Sequence, residues 1–248
     1  MTAPLLVLVR HGQTAANVAK ALDSVPPGPP LNERGLVQAR AAAERFAAEP
    51  VAAVYASTAL RARQTAAPIA ERHRLDVTVL EGVQEVFCGD LEGRDDPDAR
   101  ALFEEVYKAW ADGDLTRPLP GGESAADLRA RYLPAVAELW RRHGSAGSAG
   151  DGAAGSTGDP TGRRAEDRNG PRPQLVLASH GAAIRVAAGA MIGEWADTRP
   201  VPNAGRVVLA PLPGGDLGAG AWRLVSWDTD PPEPGDVTGG GDDWPGVP

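Results

Sequence analysis

The chain has 248 residues, 42% of them hydrophobic, which is enough for one or two domains with a sizeable core. Its formal charge of −8 argues against a nucleic-acid-binding surface and against attraction to anionic membranes, though not against a local cationic pocket. A single cysteine, Cys88, excludes an intrachain disulfide and a cysteine-based zinc site, and reads as a small buried apolar residue.

Leu5 to Val9 is an aliphatic run that ends in Arg10, His11 and Gly12. Such a run fits a strand buried on both faces, with Arg10 and His11 emerging at its carboxyl end, where open α/β sheets place ligands. It is too short for a membrane span and lacks the features of a signal peptide, so a cytoplasmic protein is expected. Pro26-Pro27-Gly28-Pro29-Pro30 reads as a stiff loop. Asn32 then caps a helix with Leu36, Ala39, Ala43, Phe46 and Ala47 on one face. Val51 to Ala56 is a strand, Ser57 or Thr58 caps a helix reaching His73 with a bend at Pro68, and Asp76 to Leu80 is a further strand. Residues 81–98 are loop-like, Ala99 to Asp112 is helical, and the break at 120–124 precedes a longer amphipathic helix carrying Leu128, Tyr132, Val136 and Leu139, with Pro134 inside it. Residues 144–173 lose their bulky apolar side chains and read as a flexible excursion. Gln174 to Ala178 restores a buried strand, followed by Ser179-His180-Gly181 and a helix to Ile192. Arg206 to Leu212 and Ala221 to Trp227 are strands, and 229–248 is a disordered tail. Alternating strands and helices give a single α/β domain over 1–228.

Two strand ends thus carry a histidine followed by glycine: His11-Gly12 and His180-Gly181. A metal site would want further ligands at short spacing, and neither segment supplies them. His73 and His143, in basic helix-end contexts, read as solvated surface residues. Arg10 and Arg61 offer planar forks suited to phosphate oxygens, with Arg61 in the first turns of the helix after the second strand.

Six spaced segments carry a resemblance to a known family. They are Arg10-His11-Gly12-Gln13-Thr14 with Asn17; Leu31-Asn32-Glu33-Arg34-Gly35 with Gln38-Ala39; Tyr55-Ala56-Ser57 through Arg61-Ala62 and Thr65-Ala66; Glu85 with Gly89 and Glu92-Gly93; Gly121-Gly122-Glu123-Ser124; and Ser179-His180-Gly181. In this order they resemble the histidine phosphatase superfamily, also called phosphoglycerate mutase-like. The resemblance implies a three-layer α/β/α sandwich with a mostly parallel central sheet. It implies a phosphatase that hydrolyses a phosphate monoester of a small metabolite through a phosphohistidine at His11. Arg10, Arg61 and His180 would bind the phosphoryl oxygens, with Asn17 and the Gly181 backbone as further donors. Glu85 would be the general acid and base, preferred over Glu81 and Glu92 for its spacing to Gly89 and Gly93. No metal or cofactor is expected, and the partner is a phosphorylated small molecule, met by a monomer or homodimer.

Two alternatives stay open: a phosphoglycerate-type phosphomutase and a non-catalytic phosphate-binding module. The family's mutases carry an Arg-His-Tyr-Gly-like stretch after the acid, where this chain has Val86-Phe87-Cys88-Gly89 and then Asp90, Glu92, Asp95, Asp96 and Asp98. Those carboxylates would repel a bisphosphate, which favours hydrolysis over transfer. Residues 86–122 are expected to cap the pocket, with Phe87, Phe103, Tyr107 and Trp110 as its apolar lining and Arg94, Lys108 and Arg117 as its cations.

Overall fold

The computed structural model describes residues 3–144, 171–197, 199–214 and 217–230. The excursion expected over 144–173 and the tail over 229–248 fall almost wholly outside the described residues.

Strand β1 (Leu5–Arg10) is the centre of the fold. Leu6, Val7, Leu8 and Val9 have no solvent exposure, and burying each such side chain contributes roughly 1.5–3 kcal/mol. Around it lie β2 (Val51–Ala56), β3 (Val77–Val79), β4 (Gln174–Ser179), β5 (Arg206–Pro211) and β6 (Trp222–Trp227), in the order β3-β2-β4-β1-β5-β6. The strands β3, β2, β4 and β1 run parallel, and β5 and β6 complete the sheet by antiparallel pairing.

Strand alternation sorts the core into two faces. Val7, Val9, Val54, Ala56, Val176 and Ala178 pack on α2 (Glu33–Arg45) and α3 (Leu60–His73). Leu6, Leu8, Tyr55, Leu175 and Leu177 pack on α4 (Pro97–Ala111), α5 (Ala125–Gly144) and α6 (Gly181–Met191). The result is the expected three-layer sandwich. No described helix is long and apolar enough to cross a membrane.

Local chemistry accounts for most of the helix starts. Asn32 caps α2 by accepting from Gly35 N, Asp96 caps α4 by accepting from Ala99 N, and Ser124 and Asp127 cap each other's backbone at the start of α5. Several expectations need correction. Leu36 and Ala47 are exposed, because α2 turns Gly35, Gln38, Ala39, Ala42 and Ala43 inward instead. Helix α3 begins after Ala59, without a side-chain cap, since Ser57 is engaged elsewhere. Helix α5, by contrast, holds Pro134 inside it as expected. A five-residue helix, α1 (Ala15–Ala19), was not anticipated; a Thr14–Asn17 capping box forms it. His143 is half-buried and hydrogen-bonded to the Tyr55 hydroxyl at 2.8 Å, and His73 is also half-buried, so neither is a freely solvated surface group.

Candidate functional site

The strand order explains why the chemistry-bearing residues meet. Strands β1, β4 and β2 lie side by side and parallel, with Arg10 opposite Ser179 and Ala56 opposite Ala178. The residues following their carboxyl ends, His11, His180 and Ser57, therefore share one edge of the sheet. Helix α3, just after Ser57, adds Arg61. The antiparallel β5 starts at the same edge, so its preceding loop arrives there too: Asn203 Nδ2 donates to His11 O at 2.9 Å and Ala204 N to Arg10 O at 3.0 Å.

Gly12 is required by a close approach. A Cβ there would lie 2.6 Å from Gly35 O, and one on Gly35 would lie 2.1 Å from Gln13 O. The loop after β1 thus presses directly on the first turn of α2. Gln38 Oε1 accepts from Gln13 N at 2.8 Å, Asn32 Nδ2 donates to Gln13 Oε1 at 3.0 Å, and Gly12 N donates to Thr65 Oγ1 at 3.0 Å. These bonds give a physical reason for the Asn-Glu-Arg-Gly segment: it is the platform under His11.

His11, His180, Arg10 and Arg61 are all buried, with exposures of 5%, 0%, 7% and 2%. The two imidazoles sit edge to face with centroids 5.3 Å apart. His11 Nδ1 lies 2.8 Å from Gly12 O. A carbonyl only accepts, so this bond assigns the proton to Nδ1 and leaves the lone pair on Nε2. His180 Nε2 meets Ser57 Oγ at 2.7 Å, and Ser57 Oγ also accepts from Ala59 N at 3.3 Å. The serine hydroxyl can donate to Nε2 or accept from it, so this bond is compatible with either His180 tautomer. Nδ1 of His180 is buried with no hydrogen-bond partner among the described residues.

Burial is the main cause holding both histidines well below their ordinary value of 6.5. For His11, Arg61 and then Arg10 push the same way, against the Gly12 bond; for His180, Arg61, His11, Arg131 and Arg10 add to burial. Both rings are therefore neutral near pH 7. Below 6.5 the unfolded chain binds protons that the folded chain refuses, so stability present above 6.5 is lost as pH falls. The slope is up to about 1.4 kcal/mol per pH unit for each histidine. Urea unfolding at pH 7.5 and 5.5 should show this loss in the wild type and a smaller one in a His11→Asn/His180→Asn variant. An equal loss in both would contradict it.

Arg10 Nη1 donates to Val201 O at 2.8 Å, and Gly181, the first residue of α6, lies against its guanidinium. Arg61 is held by Asp23, through the carboxylate at 3.1 Å and the carbonyl at 2.9 Å. Asn17 Oδ1 accepts from Thr14 N and from Asn203 Nδ2, so its amide NH₂ is the end left for a ligand.

Glu85 approaches from the loop after β3. Its carboxylate accepts from Val86 N at 2.9 Å, Ala183 N at 2.8 Å and Ala182 N at 3.2 Å, and so faces the amino-terminal end of α6 beside His180. The loop is clamped by Arg131 of α5. That guanidinium reaches Gly82 O, Gln84 O and Glu85 O at 2.8–3.0 Å and pairs bidentately with Glu123 at 2.7 Å on each arm. Glu92 is instead used as a tether, accepting from Ser24 N, Ser24 Oγ and Val25 N, and Glu81 is exposed.

The structure thus brings together all the expected site residues: His11, Arg10, Arg61, His180, Glu85, Asn17 and Gly181. It adds Asp23, Arg131 and Asn203, which sequence reasoning missed as site-building groups, and uses Ser57, read as a cap and supporting hydrogen-bond donor, to bond His180. The expected cap lining is corrected. Phe103, Tyr107 and Trp110 are buried in the core under α4, and only Phe87 is exposed. Arg94 and Arg117 are paired with Asp96 and Glu105.

Two guanidinium forks and a second imidazole thus gather around the neutral, lone-paired His11 ring, with a carboxyl group alongside, an arrangement chemically suited to holding an anion. The chain belongs to the histidine phosphatase superfamily (branch 1), whose family model matches residues 6–149. It is 30% identical to a glucosyl-3-phosphoglycerate phosphatase of Mycobacterium tuberculosis, over 92% of this chain and 96% of that one. It is 38% identical to a 2,3-bisphosphoglycerate-dependent phosphoglycerate mutase of Methylobacterium radiotolerans, over 52% of this chain and 63% of that one. Among solved structures, the mycobacterial glucosyl-3-phosphoglycerate phosphatase in complex with inorganic phosphate superposes with a TM-score of 0.69 at 28% identity, covering 93% of this chain and all of that one.

Proposed function

We propose that this protein is a cytoplasmic phosphatase that hydrolyses a phosphate monoester of a small metabolite through a phosphohistidine on His11. The observation that carries the reading is the His11 ring: neutral, with Nδ1 tied to Gly12 O and Nε2 lone-paired, beside Arg10, Arg61 and His180. Nε2 attacks phosphorus as the ester P–O bond breaks, and the protonated form of Glu85 gives its proton to the departing oxygen. In the second step the Glu85 carboxylate takes a proton from water, the water oxygen attacks phosphorus, and the P–N bond breaks. Inorganic phosphate and neutral His11 result. Arg10, Arg61, His180 and Asn17 hold the phosphoryl oxygens throughout, where fixed donors stabilise the charge of the transition state.

A mutase reading draws on the phosphoglycerate mutase relative. Against it stands the stretch after the acid, Val86 to Gly89, which supplies no cation for a second anionic group. The backbone of that stretch is bonded to Glu123 and Ser24. Glucosyl-3-phosphoglycerate, the substrate in the name of a relative matched over nearly the whole chain, is the first compound to try. Phosphate release should be measured with it, with sugar phosphates and phospho-amino acids, and with 3-phosphoglycerate plus a bisphosphate primer. Release from at least one monoester is expected. Efficient isomerisation of 3-phosphoglycerate would sink the phosphatase reading.

A further inference from the structure

Arg61 is a phosphate-site residue for which the fold supplies a carboxylate that the mechanism above does not use. Asp23 reaches it twice, with Oδ2 on Nη1 at 3.1 Å and the main-chain carbonyl on Nη2 at 2.9 Å. The chain on either side of Asp23 is fixed. Leu22 exchanges backbone bonds with Gly93 and Arg94, Ser24 is bonded to the Glu92 carboxylate, and Cys88 N donates to Ser24 Oγ at 3.1 Å. The loop then folds along the start of α3, with Leu60 N donating to Pro27 O at 2.8 Å and Leu31 N to Gln64 Oε1 at 2.8 Å. Gly28 passes over the ion pair at φ +61°, where a Cβ would lie 2.3 Å from Arg61 Nη1. Both the carboxylate and the space above it are built by long-range contacts.

An Arg61 fork gripped on one side by an anion faces phosphate with part of its charge already cancelled. We infer that Asp23 is a positioning residue for the phosphate site, aiming Arg61 while weakening its hold on phosphate so that the product leaves. The inference rests on the phosphatase reading. Burial raises the Asp23 carboxyl above its ordinary value, Arg61 opposes this, and Glu92 and Glu85 add to it.

The test uses the full chain at pH 7.5, with inorganic phosphate titrated calorimetrically and kcat/KM measured on an active phosphomonoester. Asp23→Asn keeps an acceptor for Nη1 and removes the charge, so it should tighten phosphate binding by roughly 3–10-fold, the scale of one like charge at a partly solvated site. Asp23→Ala removes the acceptor as well, and its kcat/KM should fall about tenfold or more below that of the Asn variant. Phosphate binding to Asp23→Asn no tighter than to the wild type overturns the inference, as does equal kcat/KM for the two variants. Wild type that binds no phosphate would instead overturn the phosphatase reading, and this inference with it. The Asn arm decides the charge claim even where Asp23→Ala fails to fold.

Discussion

Replacing His11 by asparagine is expected to lower kcat by about 10⁴-fold or more, with little change in the affinity for inorganic phosphate. The two halves of that expectation come from different residues. On the proposed reading, bond formation to phosphorus needs the His11 Nε2 lone pair, while both arginines are donors only. On the same reading, phosphate binding relies on Arg10, Arg61 and His180, which the substitution leaves in place. Asparagine is smaller than histidine, and Asn203 Nδ2 donates to the main-chain oxygen of residue 11, a bond the substitution keeps. Steady-state kinetics and a phosphate titration on the same preparation check both halves. A variant that loses turnover and phosphate binding together would point to a collapsed site instead of a missing nucleophile.

Glu85→Gln is expected to show a dependence on the leaving group. For an alkyl phosphate the departing alkoxide needs a proton, and kcat/KM should fall by about 10²–10⁴-fold. For an aryl phosphate with an acidic phenol the bond breaks without that help, and kcat/KM should change far less. The ratio kcat/KM is the quantity to compare, because it reports on transfer to His11 and leaves out the later hydrolysis, in which Glu85 also acts. Glutamine keeps its one oxygen as the acceptor for the Val86 and Ala183 amides and gives up only the longer bond from Ala182 N, so the loop should hold its place. Arg131→Met should give the same pattern in weaker form, roughly 10–100-fold on the alkyl ester, since it frees the carbonyls of Gly82, Gln84 and Glu85 together. An equal loss on both ester types would mean that neither residue serves the leaving group.

Much of this site could be read in the sequence because its strands announce themselves. An aliphatic run that stops at His-Gly needs no distant information to be recognised as a buried strand opening on a ligand edge, and two such runs place both histidines. Asn32 likewise declares the start of α2 through a local bond. Helix α1 escaped notice because a capping box, not an apolar face, sets its start. The groups that aim the site were illegible for a different reason: their partners are remote in sequence. Asp23 is 38 residues from Arg61, Arg131 is 46 from Glu85, and Asn203 is 192 from His11. The aromatic residues of α4 were misplaced although their pattern was visible. Ala99, Phe103, Val106, Tyr107 and Trp110 follow the spacing of a core-facing stripe, and the structure uses them as one.

The central claim is that a phosphoryl group rests on His11 during turnover. Rapid quenching of the enzyme into alkali with a phosphorus-labelled substrate, followed by peptide mapping, measures it directly. Acid-labile, base-stable label on the peptide carrying His11 is expected, more of it in Glu85→Gln, where hydrolysis is slowed, and none in His11→Asn. Label on another residue, or turnover with undiminished rate and no label in His11→Asn, would contradict the account.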